Sequence, residues 1–275
     1  MRIVLATDGS KGARAAAGVL ADLPLEGDCS LEVVHVAADG TDPNSVSRLL
    51  NESLELLSHS TATLTSSVRH GHAVETLLNG LQQHPADLLV VGATGHSGVA
   101  RLLLGSVAER LAMHAPCPVL VVRPDTGGLR RILVGVDGSK DSIRAARWIA
   151  ALPLDPSAEI RILGMAPNHR EIAAEHLMVM PPLVDHPTSL GDWQRVRLRA
   201  PLDALCAEIE ASGRRCSVEI RSGDPGSGIV GTAEDEGCDL VVVGSKGLTG
   251  LDRFLLGSVS ANVLRHAPCS VLVAR

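Results

Sequence analysis

Two glycine-rich stretches carry the residue types best suited to hold a phosphate. The first runs Gly92-x2-Gly95-x9-Gly105-Ser106, and the second Gly244-x2-Gly247-x9-Gly257-Ser258. Glycine lets a backbone turn tightly and approach a ligand with no Cβ in the way. In both stretches the last glycine and serine open a segment of helical composition. The N–H groups of a first helical turn would point at an anion there, and the helix dipole adds to the attraction. The serine hydroxyl could donate to a phosphate oxygen or simply cap the helix. Far upstream of each stretch stands an Asp-Gly-Ser turn, Asp8-Gly9-Ser10 and Asp137-Gly138-Ser139. A carboxylate at that position suits Mg²⁺, which shares oxygen ligands with phosphates. It could equally do no more than stabilise the turn.

These pairs belong to a larger repetition. Residues 2–11 reappear as 131–140, and 92–122 match 244–274 without a gap at roughly half of the positions. The two echoes have different offsets, so the second copy carries an insertion between them. The units are too long for a solenoid repeat and are whole domains. We place them at 1–124 and 129–275, with a turn-forming linker at 123–128.

The elements that must position the glycines alternate. Apolar, β-branched runs at 3–7, 31–37, 65–69, 88–91 and 118–122 read as strands, and segments 12–23, 46–57, 73–83 and 106–113 as helices. The second copy follows the same order. Strands apolar throughout are covered on both faces, the mark of a parallel sheet between helix layers. The expected fold is α/β: two repeated, doubly wound, parallel five-stranded sheets. Ligands in such folds bind beyond the carboxyl ends of the strands, where strand order reverses. Asp8 and Asp137 end the first strand of each copy, and Gly92 and Gly244 the fourth.

Composition narrows the function. Among 275 residues there are one Phe, two Trp and no Tyr, which argues against an aromatic platform for stacking single-stranded nucleic acid. A net charge of -6 argues against a phosphate-backbone binder. No run reaches the ~18 uncharged apolar residues that span a bilayer. Asp8 interrupts the first apolar run too soon for a signal peptide, so the expectation is a cytoplasmic protein. The six cysteines show no metal-ligand spacing and read as reduced, mostly buried thiols.

The glycine pattern after an apolar strand and before a helix resembles the ATP-binding motif of the universal stress protein family. The Asp-Gly-Ser turn and the terminal Pro-Cys-Pro-Val-Leu-Val-Val strand are similar to that family too, and the resemblance covers essentially the whole chain twice. It implies a strand order of 3-2-1-4-5 and an adenine packed near the end of strand two, at Val36 and Met165. It implies that Ala6, Thr7 and Asp8, with Gly135, Val136 and Asp137, line the base and ribose. Gly92, Ala93, Thr94 and Gly95, with Gly105, Ser106, Val107 and Ala108, would cradle ribose and phosphates. Their counterparts are Gly244, Ser245, Lys246 and Gly247, with Gly257, Ser258, Val259 and Ser260. Asp8 and Asp137 would hold Mg²⁺. Both copies keep the pattern, so up to two ATP molecules are expected, with the Lys246 cation favouring the second copy. The resemblance also implies that the last strands of the copies, 118–122 and 270–274, pair edge to edge as an intramolecular pseudo-dimer, with a homodimer of chains a further option.

No nucleophile with an adjacent base and no paired carboxylates are legible. The reading is an ATP-binding stress regulator. A slow ATPase or phosphotransferase at the same loops and a nucleotide-free interaction module are its rivals. Gly226-x-Gly228-x2-Gly231 fits a dinucleotide fingerprint, yet the first copy lacks it and it belongs to the third crossover rather than the first. The Walker pattern is absent. The insertion at 167–191 holds His169, His176 and His186 and an apolar run at 178–184. It reads as a surface arm or flap rather than a metal site.

Overall fold

A computed structural model of the protein describes residues 1–95, 104–124, 127–166, 190–247 and 256–275. The first copy runs β1 (Arg2–Ala6), α1 (Lys11–Ala21), β2 (Ser30–Ala37), α2 (Pro43–Leu56), β3 (Thr63–His70), α3 (Ala73–Gln83), β4 (Leu88–Gly92), α4 (Ser106–His114) and β5 (Val119–Val122). The second runs β6 (Arg131–Val136), α5 (Lys140–Ala151), β7 (Glu159–Ala166), α6 (Leu190–Ala211), β8 (Arg215–Ser222), α7 (Pro225–Asp235), β9 (Leu240–Gly244), α8 (Ser258–His266) and β10 (Ser270–Ala274). β3 outruns the segment 65–69 because its whole length pairs with β2, from Ser30↔Thr63 to Ala37↔His70.

Four of the described helices start where short polar side chains satisfy free N–H groups of a first turn. Ser10 accepts from the Ala13 N–H at the head of α1, and Ser139 from Ser142 at the head of α5. Asp42 and Asp224 do the same for α2 and α7. Gly9 and Gly138 bring the chain into these caps with φ of 75° and 83°. That left-handed conformation is costly for a residue with a Cβ.

Strand order is β3-β2-β1-β4-β5-β10-β9-β6-β7-β8. Counted within each copy, this is 3-2-1-4-5 twice. Neighbours within a copy are parallel. The two five-stranded sheets are not separate, however: they form one mixed ten-stranded sheet. The apolar edges β5 and β10 pair antiparallel, with Val121↔Val271, Leu120↔Leu272 and Val119↔Val273. An unpaired apolar edge has free backbone groups to satisfy, and each edge meets that need in the other.

Side chains alternate across the sheet and build a core on each face. Ile3, Leu5, Leu120 and Leu272 face the layer of α1, α2, α5 and α6. Val4, Val119, Val121, Val271 and Val273 face that of α3, α4, α7 and α8. No described helix is long and apolar enough to cross a membrane. His169, His176, His186, the apolar run 178–184 and linker residues 125 and 126 lie outside the described residues.

Candidate functional site

β1 lies between β2 and β4, so the crossovers leave it in opposite directions and open a crevice at its carboxyl end. In the first copy this crevice is a cavity of about 430 Å³. Its wall includes Ala6, Thr7 and Asp8 from the end of β1 and Val36 from β2. Gly92, Ala93, Thr94 and Gly95 follow β4, and Gly105, Ser106, Val107 and Ala108 open α4. Every first-copy position named from the sequence is therefore gathered on one cavity. Ser10, Ala13, Val34, Ala73, Leu77 and Val91 complete the wall and were not among them. Ala73 and Leu77 sit one turn apart on α3, a spacing that reads as ordinary core packing.

The loop after β4 is fixed by backbone bonds. Ala93 N–H donates to Val122 at 2.7 Å, and Gly105 N–H to the Ala93 carbonyl at 2.7 Å. Ser10 Oγ donates to the Thr94 carbonyl at 3.2 Å, tying the cap of α1 to the same loop. Packing against backbone accounts for the first glycine of the pattern, and the second lies against the Asp8 carboxylate. A Cβ on Gly92 would lie 2.4 Å from the Gly12 carbonyl carbon, and one on Gly95 would lie 2.8 Å from Asp8 Oδ2.

Gly105 is different. It is the N-cap residue of α4 in ordinary extended conformation, φ -71° and ψ 145°, and has no side chain with which to cap the helix. The serine-cap alternative fails, because Ser106 stands inside the helix rather than at the cap. α4 thus presents a glycine-headed first turn to the cavity; α1, α2, α5 and α7 are capped by the side chain at that position, and α3, headed by His72, is not. Asp8 performs at least the turn role: its Oδ1 accepts the Ser10 N–H at 3.0 Å.

The second copy repeats this frame. Ser245 N–H donates to Ala274 and Gly257 N–H to Ser245, each at 2.8 Å. Asp137 Oδ1 accepts from Ser139 N–H at 2.9 Å and from Ser142 Oγ at 2.8 Å. A Cβ on Gly247 would come within 2.9 Å of Asp137 Oδ2. Gly257 is again an N-cap without side-chain capping, ahead of Ser258 and Val259 in α8. The Lys246 carbonyl accepts from Ser139 Oγ at 3.5 Å.

Other positions diverge. Ser260 is buried and donates to the Gly244 carbonyl at 2.6 Å. Gly135 leaves room for Ile229, whose Cδ1 lies 2.7 Å from where a Cβ would be. Val136 and Met165 are buried, and the Met165 Cε lies 2.3 Å from the position of a Cβ on Gly228. Gly226 similarly faces Asn262. Two glycines of the dinucleotide-like run therefore serve the packing of α7. Among the described residues, no cluster of His, Cys, Asp or Glu is placed to hold a metal ion. All six cysteines are free thiols, and Cys117, Cys206 and Cys269 are buried.

The sequence model of the Universal stress protein family matches residues 1–123 and again 128–275. The chain is 27% identical over 157 residues to universal stress protein Sll1388 of Synechocystis, covering 54% of this chain and 99% of that protein. It is 32% identical over 200 residues to universal stress protein Rv2005c of Mycobacterium tuberculosis, covering 69% of this chain and 62% of that protein. A universal stress protein from Archaeoglobus fulgidus has the same fold, with a TM-score of 0.69 at 21% identity, covering 100% of this chain and 98% of that one. The chain belongs to the universal stress protein family and carries two copies of its domain in tandem.

Proposed function

We propose that the protein is an ATP-binding stress regulator of the cytoplasm, with the two domains, 1–124 and 129–275, joined as an intramolecular pseudo-dimer. The observation that carries this reading is the glycine-headed start of α4, with no N-cap side chain, on the wall of the first-copy cavity. A first turn with no N-cap side chain has N–H groups to offer an anion, and the dipole favours negative charge there. The cavity volume falls within the usual range of about 300–1,000 Å³ for small-molecule sites. Its lining offers both kinds of surface that an adenine nucleotide would use. Ala6, Val34, Val36, Leu77 and Val91 supply an apolar side for the base. Gly92 to Gly95 and Gly105 to Ala108 supply a backbone-rich side for ribose and phosphates.

The second copy would use Gly244 to Gly247 and Gly257 to Ser260 in the same way, with Gly135, Val136 and Met165 on the base side. Lys246 adds a cation that can strengthen a phosphate contact. Asp8 and Asp137 are the carboxylates that would hold Mg²⁺, which would neutralise part of the phosphate charge. Mass spectrometry of small molecules released from freshly purified protein tests the reading. An adenine nucleotide in stoichiometric amount supports it. No nucleotide, either retained or taken up from added ATP and Mg²⁺, overturns it.

A further inference from the structure

The match of 92–122 with 244–274 continues by one residue, to Arg123 and Arg275. Both side chains cross to the other copy. Arg123 is buried and donates through Nε to the Cys269 carbonyl at 3.1 Å. Its Nη2 reaches the Leu264 and Arg265 carbonyls, each at 3.4 Å. Arg275 Nη2 donates to the Ala112 carbonyl at 2.5 Å. Leu264 and Ala112 are matching positions in the last turns of α8 and α4. The contact is thus made twice, once in each direction. The last carbonyls of a helix have no partner within it, and a cation there complements the dipole. An ion pair between Glu109 of α4 and Arg265 of α8, at 2.8 Å, ties the two helices together.

The residues preceding the arginines hold the loops of their own copies. The Val122 carbonyl accepts from Ala93, and the Ala274 carbonyl from Ser245. A continuous path therefore runs from the loop of one copy, through an arginine, to the carboxyl end of the other copy's glycine-headed helix.

We propose that Arg123 and Arg275 are reciprocal positioning residues. Each holds the helix that faces the anion in the opposite copy, so neither site is complete without the other copy. This rests on the nucleotide reading above. The test uses full-length protein with one site silenced and titrates the other with ATP and Mg²⁺. With the second copy silenced by Gly257→Val, Arg275→Met weakens ATP binding about five-fold or more, the scale expected for a partly buried cation at a helix end. Arg275→Lys restores most of it. With the first copy silenced by Gly105→Val, Arg275→Met leaves binding unchanged and Arg123→Met weakens it. Weakening in the arginine's own copy, equal weakening in both, or no rescue by lysine overturns the proposal. Absence of ATP binding in the unsubstituted protein instead removes the nucleotide reading on which it stands.

Discussion

Gly105 donates its N–H to the Ala93 carbonyl at 2.7 Å, and a Cβ on Gly105 would lie 3.2 Å from that same oxygen. One short contact thus closes the loop between β4 and α4 and sets how much room the glycine has. Gly257 and Ser245 repeat it at 2.8 Å.

Replacing either glycine with valine therefore separates binding from folding. Extended φ and ψ at Gly105 and Gly257 suit any residue, and a Cβ asks the Ala93 carbonyl to give by only a few tenths of an ångström at Gly105 and meets ordinary van der Waals contact at Gly257. The added methyl groups occupy the space in front of the helix. Gly105→Val should abolish ATP binding in the first copy and Gly257→Val in the second, with the far-ultraviolet circular dichroism spectrum retained. Normal ATP binding by Gly257→Val would mean that the phosphates lie elsewhere.

Gly92 and Gly244 should behave in the opposite way. A Cβ there meets the backbone of α1 or α5 at 2.4 Å and 2.8 Å. Helix and strand must move apart, and overpacking of this kind costs about 1–3 kcal/mol. Urea denaturation of Gly92→Ala should show that loss, and Gly105→Ala a smaller one. Equal midpoints for the two variants would contradict the packing role of Gly92.

The buried thiols set an alkaline limit. Burial pushes the Cys117 thiol up to about 11 and the Cys269 thiol up to about 12. The folded state keeps these protons where the unfolded chain, near 9.0, releases them. Their contribution to stability is complete below about pH 9 and is lost as pH rises toward 11 and 12. A thiol reagent at about pH 8 should leave both cysteines unmodified until the chain unfolds, because the thiolate is the reacting form. Rapid labelling of Cys117 in the native protein would show that its site is open.

Much of this was legible in the sequence because the fold repeats simple signals. β-branched runs gave the strands, and the terminal apolar runs marked the edges that pair at Leu120 and Leu272. The glycine pattern led to the cavity wall at Gly92, Gly95 and Gly105. What escaped was tertiary. Ser10 and Ala13 reach the cavity only because α1 crosses the loop, with Gly12 close against the Thr94 carbonyl. Ala73 and Leu77 carry no local mark of a binding role. Arg123 looked like part of a linker, and its contacts with α8 depend on how the two copies meet. Met165 occupies the position matching Val36 yet packs against α7 at Gly228, a contact that no periodicity reveals.

ATP binding at the two glycine-headed helices decides the function proposed for this chain. Isothermal titration of the purified, nucleotide-stripped protein with ATP and Mg²⁺ tests it most directly. Saturable heat from up to two sites per chain is the expected result. Gly105→Val should remove one of them, and Gly105→Val with Gly257→Val should remove all. Saturation at one site would mean that a single copy has lost its ligand. No saturable heat at any attainable ATP concentration would contradict the account.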